Sequence, residues 1–149
     1  MSKTGIKVHG AVEVTVTRPN GETETVKRDN LITNVGFDFL CEAIARQTGR
    51  PAVMNYIALG SGSRGASAND TALVSEVTRV LGTYGHVNGS KTFTLSATLP
   101  AQGVTGNFVE AGVFNKSGSG GTMLDRVTFS NISKGVHDTL TIQFTFTLS

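Results

Sequence analysis

The segment Gly60-Ser61-Gly62-Ser63-Arg64-Gly65 has the spacing GxGxxG and follows a short apolar run, Met54 to Leu59. Glycines at that spacing let a backbone turn approach a phosphate closely, and a helix beginning directly after them supplies free N–H groups and a positive dipole end. A dinucleotide site also needs the rest of a βαβ unit. Here the loop runs on through Ala-Ser-Ala-Asn-Asp and the chain beyond it is consecutive β pattern, so the match reads as a Gly/Ser-rich surface loop.

Other chemistry-bearing residues are scattered. His9, His86 and His137 lie in three separate segments, none at ligand spacing from another His, Cys or carboxylate. Cys41, the single cysteine, sits among apolar residues of a helical pattern and reads as a small buried hydrophobe. No GxSxG nucleophile turn occurs. Glu110, Asp125 and Asp138 could face one cleft as acid and base, although acids spread over strands and loops are usually solvated. The expectation is a non-enzymatic chain with no catalytic residue, no metal site and no cofactor.

The elements that position these residues are mostly strands. Leu140, Ile142, Phe144, Phe146 and Leu148 alternate with Thr141, Gln143, Thr145 and Thr147, so one face is core and the other polar. Lys7 to Thr17 alternates in the same way. Pro19-Asn20-Gly21 then supplies a turn before Thr23 to Lys27, giving a hairpin. Lys91 to Leu99, Asn107 to Phe114 and Thr122 to Phe129 continue the pattern, separated by turn segments 100–106, 116–121 and 130–138.

One amphipathic helix is expected over residues 35–47, because Phe37, Leu40, Cys41 and Ile44 share a face at i, i+3, i+4 and i+7. Asn34 is its expected N-cap, and Gly49 with Pro51 ends it. Asp70 could cap a further short turn through Val74, and Glu76 with Arg79 could tie that turn to a strand. Seven or eight strands with one early helix indicate a mainly β chain, an antiparallel β-sandwich with jelly roll the preferred topology. All eight Phe residues lie in apolar patterns and are expected in the core.

Composition bounds the rest. The 149 residues suit one domain, 1–149, with residues 1–10 as an arm. Thirteen basic and eleven acidic residues leave a charge of +2 without a like-charge block, which argues against a nucleic-acid partner. No apolar run is long enough for a spanning helix and no signal-peptide pattern opens the chain, so no membrane partner is expected. With no Trp and only Tyr56 and Tyr84, stacking platforms for sugars are scarce.

The phrases NLITNVGFDFL, NYIALGSGS, DTALVSEVTRV, VEAGVFN and GGTMLDRVTF, in that order and before a terminal strand, span residue 30 to the end. Their order resembles small structural proteins of tailed bacteriophages. The resemblance implies a virion component made in the host bacterial cytoplasm. It implies a capsid decoration or cement protein first, and a tail, baseplate or fibre attachment component second. Partners would be other copies of the chain, as a dimer or trimer, and the major capsid protein or tail and baseplate proteins. Candidate contact residues are Ser61, Ser63, Arg64 and Asn69 of the loop, and Lys3 and Lys7 of the arm.

Overall fold

A computed structural model describes residues 5–149. Strands β1 (Val8–Thr17) and β2 (Thr23–Ile32) form the expected hairpin, and helix α1 (Asn34–Ala45) and β3 (Tyr56–Gly60) come next. The chain continues through β4 (Glu76–Leu81), β5 (Thr83–His86), β6 (Thr92–Leu99), β7 (Gly106–Phe114), β8 (Met123–Lys134) and β9 (Thr139–Leu148). Every pairing is antiparallel, in the order β4-β3-β7-β8-β2-β1-β9-β6-β5.

This nine-stranded sheet folds over into two layers, and the strands at its corners belong to both. The first ten-residue corner strand, β2, pairs along β1 from Thr23 to Asn30, then with β8 through Leu31 and Ile32 alone. The second corner lies between β4 and β5. Gly82 separates them, its N–H bonded to Asn55 O, and a Cβ there would crowd Asn55 O and Ser96 O at 3.3 and 3.4 Å. One continuous stretch of chain therefore pairs with β3 in one layer and β6 in the other, which nearly closes the sandwich.

A mainly β antiparallel sandwich is thus the fold, but the jelly-roll topology does not describe it. In a jelly roll most consecutive strands lie in opposite sheets, whereas here β1–β2, β3–β4, β5–β6 and β7–β8 are each hydrogen-bonded neighbours. Short connections such as Arg18 to Glu22 favour that outcome, because they return the chain directly beside the strand it left.

The core lies between the layers. Val12, Val14 and Val16 of β1 and Leu140, Ile142, Phe144 and Phe146 of β9 meet Ile57, Leu59, Phe108, Val113 and Ile132 of the opposite layer. Burying side chains of this size contributes roughly 1.5–3 kcal/mol each before entropy is counted. A second, smaller cluster of Ala58, Leu73, Phe114 and Met123 forms on the outer face of β3, β7 and β8. Loop residue Leu73 caps it.

Several local expectations are corrected. The helix begins one residue earlier and is capped by Thr33, whose Oγ1 accepts from Gly36 N at 3.0 Å. Thr33 also donates to Met123 O at 2.8 Å, a contact that Asn34, exposed on the first turn, does not make. No helical turn forms after Asp70, and residues 130–134, read as turn, extend β8. Residues 8–10 of the expected arm belong to β1, and Lys7 exchanges two backbone hydrogen bonds with Ser149. Lys3 lies outside the described residues.

Candidate functional site

The Gly-rich loop does cradle an anion, and the anion is a side chain of the same protein. Glu110 projects from the outer face of β7 under the loop and is fully buried. Its carboxylate accepts from the backbone N–H of Gly62 at 2.8 Å, Val74 at 2.9 Å and Ser75 at 2.8 Å. The Nε of Arg126, on β8, donates to Glu110 Oε1 at 3.0 Å. Burying a carboxylate is costly unless it is paired and hydrogen-bonded, and four donors meet that requirement.

This arrangement accounts for the first two glycines of GxGxxG, whereas Gly65 lies in open space. A Cβ on Gly60 would lie 2.4 Å from Ser75 O, and one on Gly62 would lie 2.5 Å from Glu110 Oε2. Both positions need the bare backbone so that the loop can close on the carboxylate. Across the ladder, Gly112 stands opposite Arg126, and a Cβ there would meet Asp125 O at 2.7 Å.

Arg126 is fully buried and ties together two positions within the loop. Its Nη1 donates to Asp70 Oδ2 at 3.2 Å and its Nη2 to Arg64 O at 2.8 Å. Asp70 also accepts from Ser67 N at 2.8 Å and Arg64 Nη2 at 2.7 Å. Burial alone would raise the Asp70 carboxyl, but the Ser67 amide and the two guanidinium groups together hold it below its ordinary value. The cluster Arg64–Asp70–Arg126–Glu110 thus alternates in sign and fixes residues 61–75 as one shaped surface.

On that surface Ser61, Ser63, Arg64 and Asn69 are all exposed. Asn69 Oδ1 accepts from Asn34 Nδ2 at 2.9 Å, and Ala68 O accepts from Asn34 N, so the loop also abuts the start of α1. Lys7 lies elsewhere, beside the end of β9.

The three carboxylates considered for acid–base chemistry do not share a cleft. Glu110 is committed to Arg126 and the loop amides. Asp138 accepts from Gly135 N and from Arg18 Nη1, both at 2.7 Å, and these donors hold its carboxyl below the usual range. Asp125 is buried where β2 meets β8, bonded by Val113 N at 3.1 Å and by Asn30 Nδ2. Burial pushes its carboxyl well above the ordinary carboxylate range. Three acids in three surroundings offer no paired geometry for hydrolysis.

Of the helix face read as core, Leu40 packs inward but Phe37, Cys41 and Ile44 are turned outward. Phe37 is 47% and Ile44 76% exposed, and Cys41 is exposed between them. The half-buried Phe39 and Leu40 pack against the core, and Gly36 seats the first turn on Leu124. Arg79 shows what the sequence could only suggest. It forms two bonds to Glu76, donates to Lys116 O and Gly120 O, and lies 3.7 Å over the Phe114 ring.

Among the described residues, no group of three His, Cys, Asp or Glu side chains is arranged to hold a metal ion, and no helix is long and apolar enough to cross a membrane. No family model, curated protein or solved structure matches the chain.

Proposed function

We propose that this chain is a structural protein of a tailed-bacteriophage particle, a capsid decoration or cement protein that binds the assembled major-capsid shell. The order of sequence phrases supplies the reading. The structural observation that favours it is the place of some of the uncovered apolar residues: Val77, Leu81, Tyr84 and Val87 lie on or beside the two strands that end the sheet, and Phe37 and Ile44 on the outward side of α1.

Val77 and Leu81 of β4, Tyr84 of β5 and Val87 just beyond it are all exposed, Leu81 at 64% and Tyr84 at 66%. Each of these strands pairs on one side only, so its other edge presents free backbone donors and acceptors. Neither strand contains Lys or Pro, two common protections of an exposed edge. Phe37, Cys41 and Ile44 form a second apolar patch. A protein that clamps subunits needs several such surfaces, since weak contacts made together by one oligomer multiply. Because it binds only the assembled shell, the shell gains stability by mass action.

The same surfaces would serve a tail, baseplate or fibre attachment component, the second reading. Cryo-electron microscopy of the particle separates the two. Many copies placed icosahedrally on the head support decoration. A few copies ringed at the tail would replace it with the second reading, and absence from the particle would overturn both.

A further inference from the structure

The corner strand β2 pairs in register with β8 at two positions only, Leu31 with Arg126 and Ile32 with Asp125. Directly after them, Thr33 binds Leu124 O through its amide and starts α1. This short seam therefore carries both the turn of the sheet and the seating of the helix. A carboxyl lies inside it. Asp125 is fully excluded from solvent and accepts from Val113 N and Asn30 Nδ2.

No cation is bonded to the Asp125 carboxyl among the described residues. On β8, the adjacent Arg126 is engaged by Glu110 and Asp70 beneath the loop. On β2, Arg28 donates to Lys27 O and Ser130 Oγ, and Asp29 faces His9 of β1 at the exposed surface. On α1, Asp38 is exposed and Glu42 pairs with Arg46. Asn30 Oδ1, buried in the seam, has no hydrogen-bond donor. It lies against Gly10, where any Cβ would collide with it.

We propose that Asp125 is a neutral carboxylic acid in the folded protein, and that its ionisation loosens the β2–β8 seam and the helix attached to it. An amide and a neutral carboxyl complement each other in both directions, donor to acceptor. An amide and a carboxylate do so in one direction only, leaving Asn30 Oδ1 orphaned beside an unpaired buried charge, which is the costlier state. The elevated proton affinity that burial gives Asp125 points the same way.

Proton counting sets the sign of the pH dependence. Between the ordinary value of 3.8 and the raised folded value, the folded state holds a proton that the unfolded state has lost. Stability therefore falls as pH rises through that window, and the fall ends above the folded value.

The test compares the wild-type chain with Asp125→Asn by denaturant unfolding across pH, beside infrared spectra of both. In the wild type the folding constant should drop relative to the variant by about tenfold per pH unit within the window. A protonated-carboxyl band should be present in the folded wild type within that window, above 3.8, and absent from the variant. The amide resonances of residues 31–33 should move with the same midpoint as that band. Parallel pH profiles, or no such band in the folded wild type, would overturn the neutral acid. A band that titrates without those resonances moving would overturn the seam. Should Asp125→Asn fail to fold, the wild-type infrared and resonance titrations decide alone.

Discussion

Arg126 Nε lies 3.0 Å from Glu110 Oε1, with both side chains wholly excluded from solvent. A buried pair of this kind is weak evidence for net stability, because desolvation offsets much of the attraction. Removing one partner is a different matter, since the other is left charged and unpaired. Glu110→Ala should lose about 3–5 kcal/mol in denaturant unfolding. The double variant Glu110→Gln with Arg126→Met should lose less than the sum of its single changes. Additive losses would show that the two groups are not coupled.

The loop conformation depends on the same cluster. Asp70→Asn weakens the acceptor shared by Arg64, Arg126 and Ser67, so residues 61–75 should become sensitive to limited proteolysis while the sandwich stays intact. Wild-type resistance in the variant would mean that Glu110 and the glycines suffice.

Acid should act on the loop as well. Asp70 has a lowered carboxyl value, so its contribution is present above 3.8 and is lost as pH falls through the folded value. Asp138 has the same sign at the Arg18 contact. Unfolding measured from pH 3.8 downward should show stability declining, with Asp70→Asn flattening the profile at its low end. An unchanged slope in that variant would remove Asp70 from the account.

Much of the sandwich was legible because strand alternation is a one-dimensional signal. Leu140 to Leu148 shows its inward and outward faces without any knowledge of its partners. The buried charge cluster was not. Glu110 in VEAGVF and Arg126 in LDRVTF each interrupt an apolar strand, which signals something unusual, but their meeting depends on β7 pairing β8 and on a loop from residues 61–75 closing above. The helix misled for the same reason. Phe37, Leu40, Cys41 and Ile44 mark an apolar stripe, yet only the tertiary structure decides whether a stripe faces the core. Gly36, which a helix scale penalises, is the residue that lets the first turn touch β8.

The cap offers a local check on that difference. Thr33→Ala removes both the bond accepted from Gly36 N and the bond donated to Met123 O, and should cost about 1–2 kcal/mol. Asn34→Ala, at the residue that sequence favoured as the cap, should cost clearly less, because its side chain reaches only the exposed Asn69. Thermal unfolding of the two variants ranks them, and a larger loss at Asn34 would place the cap where sequence put it.

Gly36→Ala isolates the seating of α1 from its helix propensity. Alanine in place of glycine would normally stabilise a helix by up to about 1 kcal/mol. Here the added Cβ would lie 2.2 Å from Leu124 O, a backbone atom that cannot move without disturbing β8. The collision should outweigh the propensity gain, since overpacking a tight contact costs about 1–3 kcal/mol. Unfolding should shift to lower denaturant, and the amide resonances of residues 123–125 should move with it. A stabilised variant would mean that α1 lifts away from the sheet at little cost, leaving Phe39 and Leu40 to hold it.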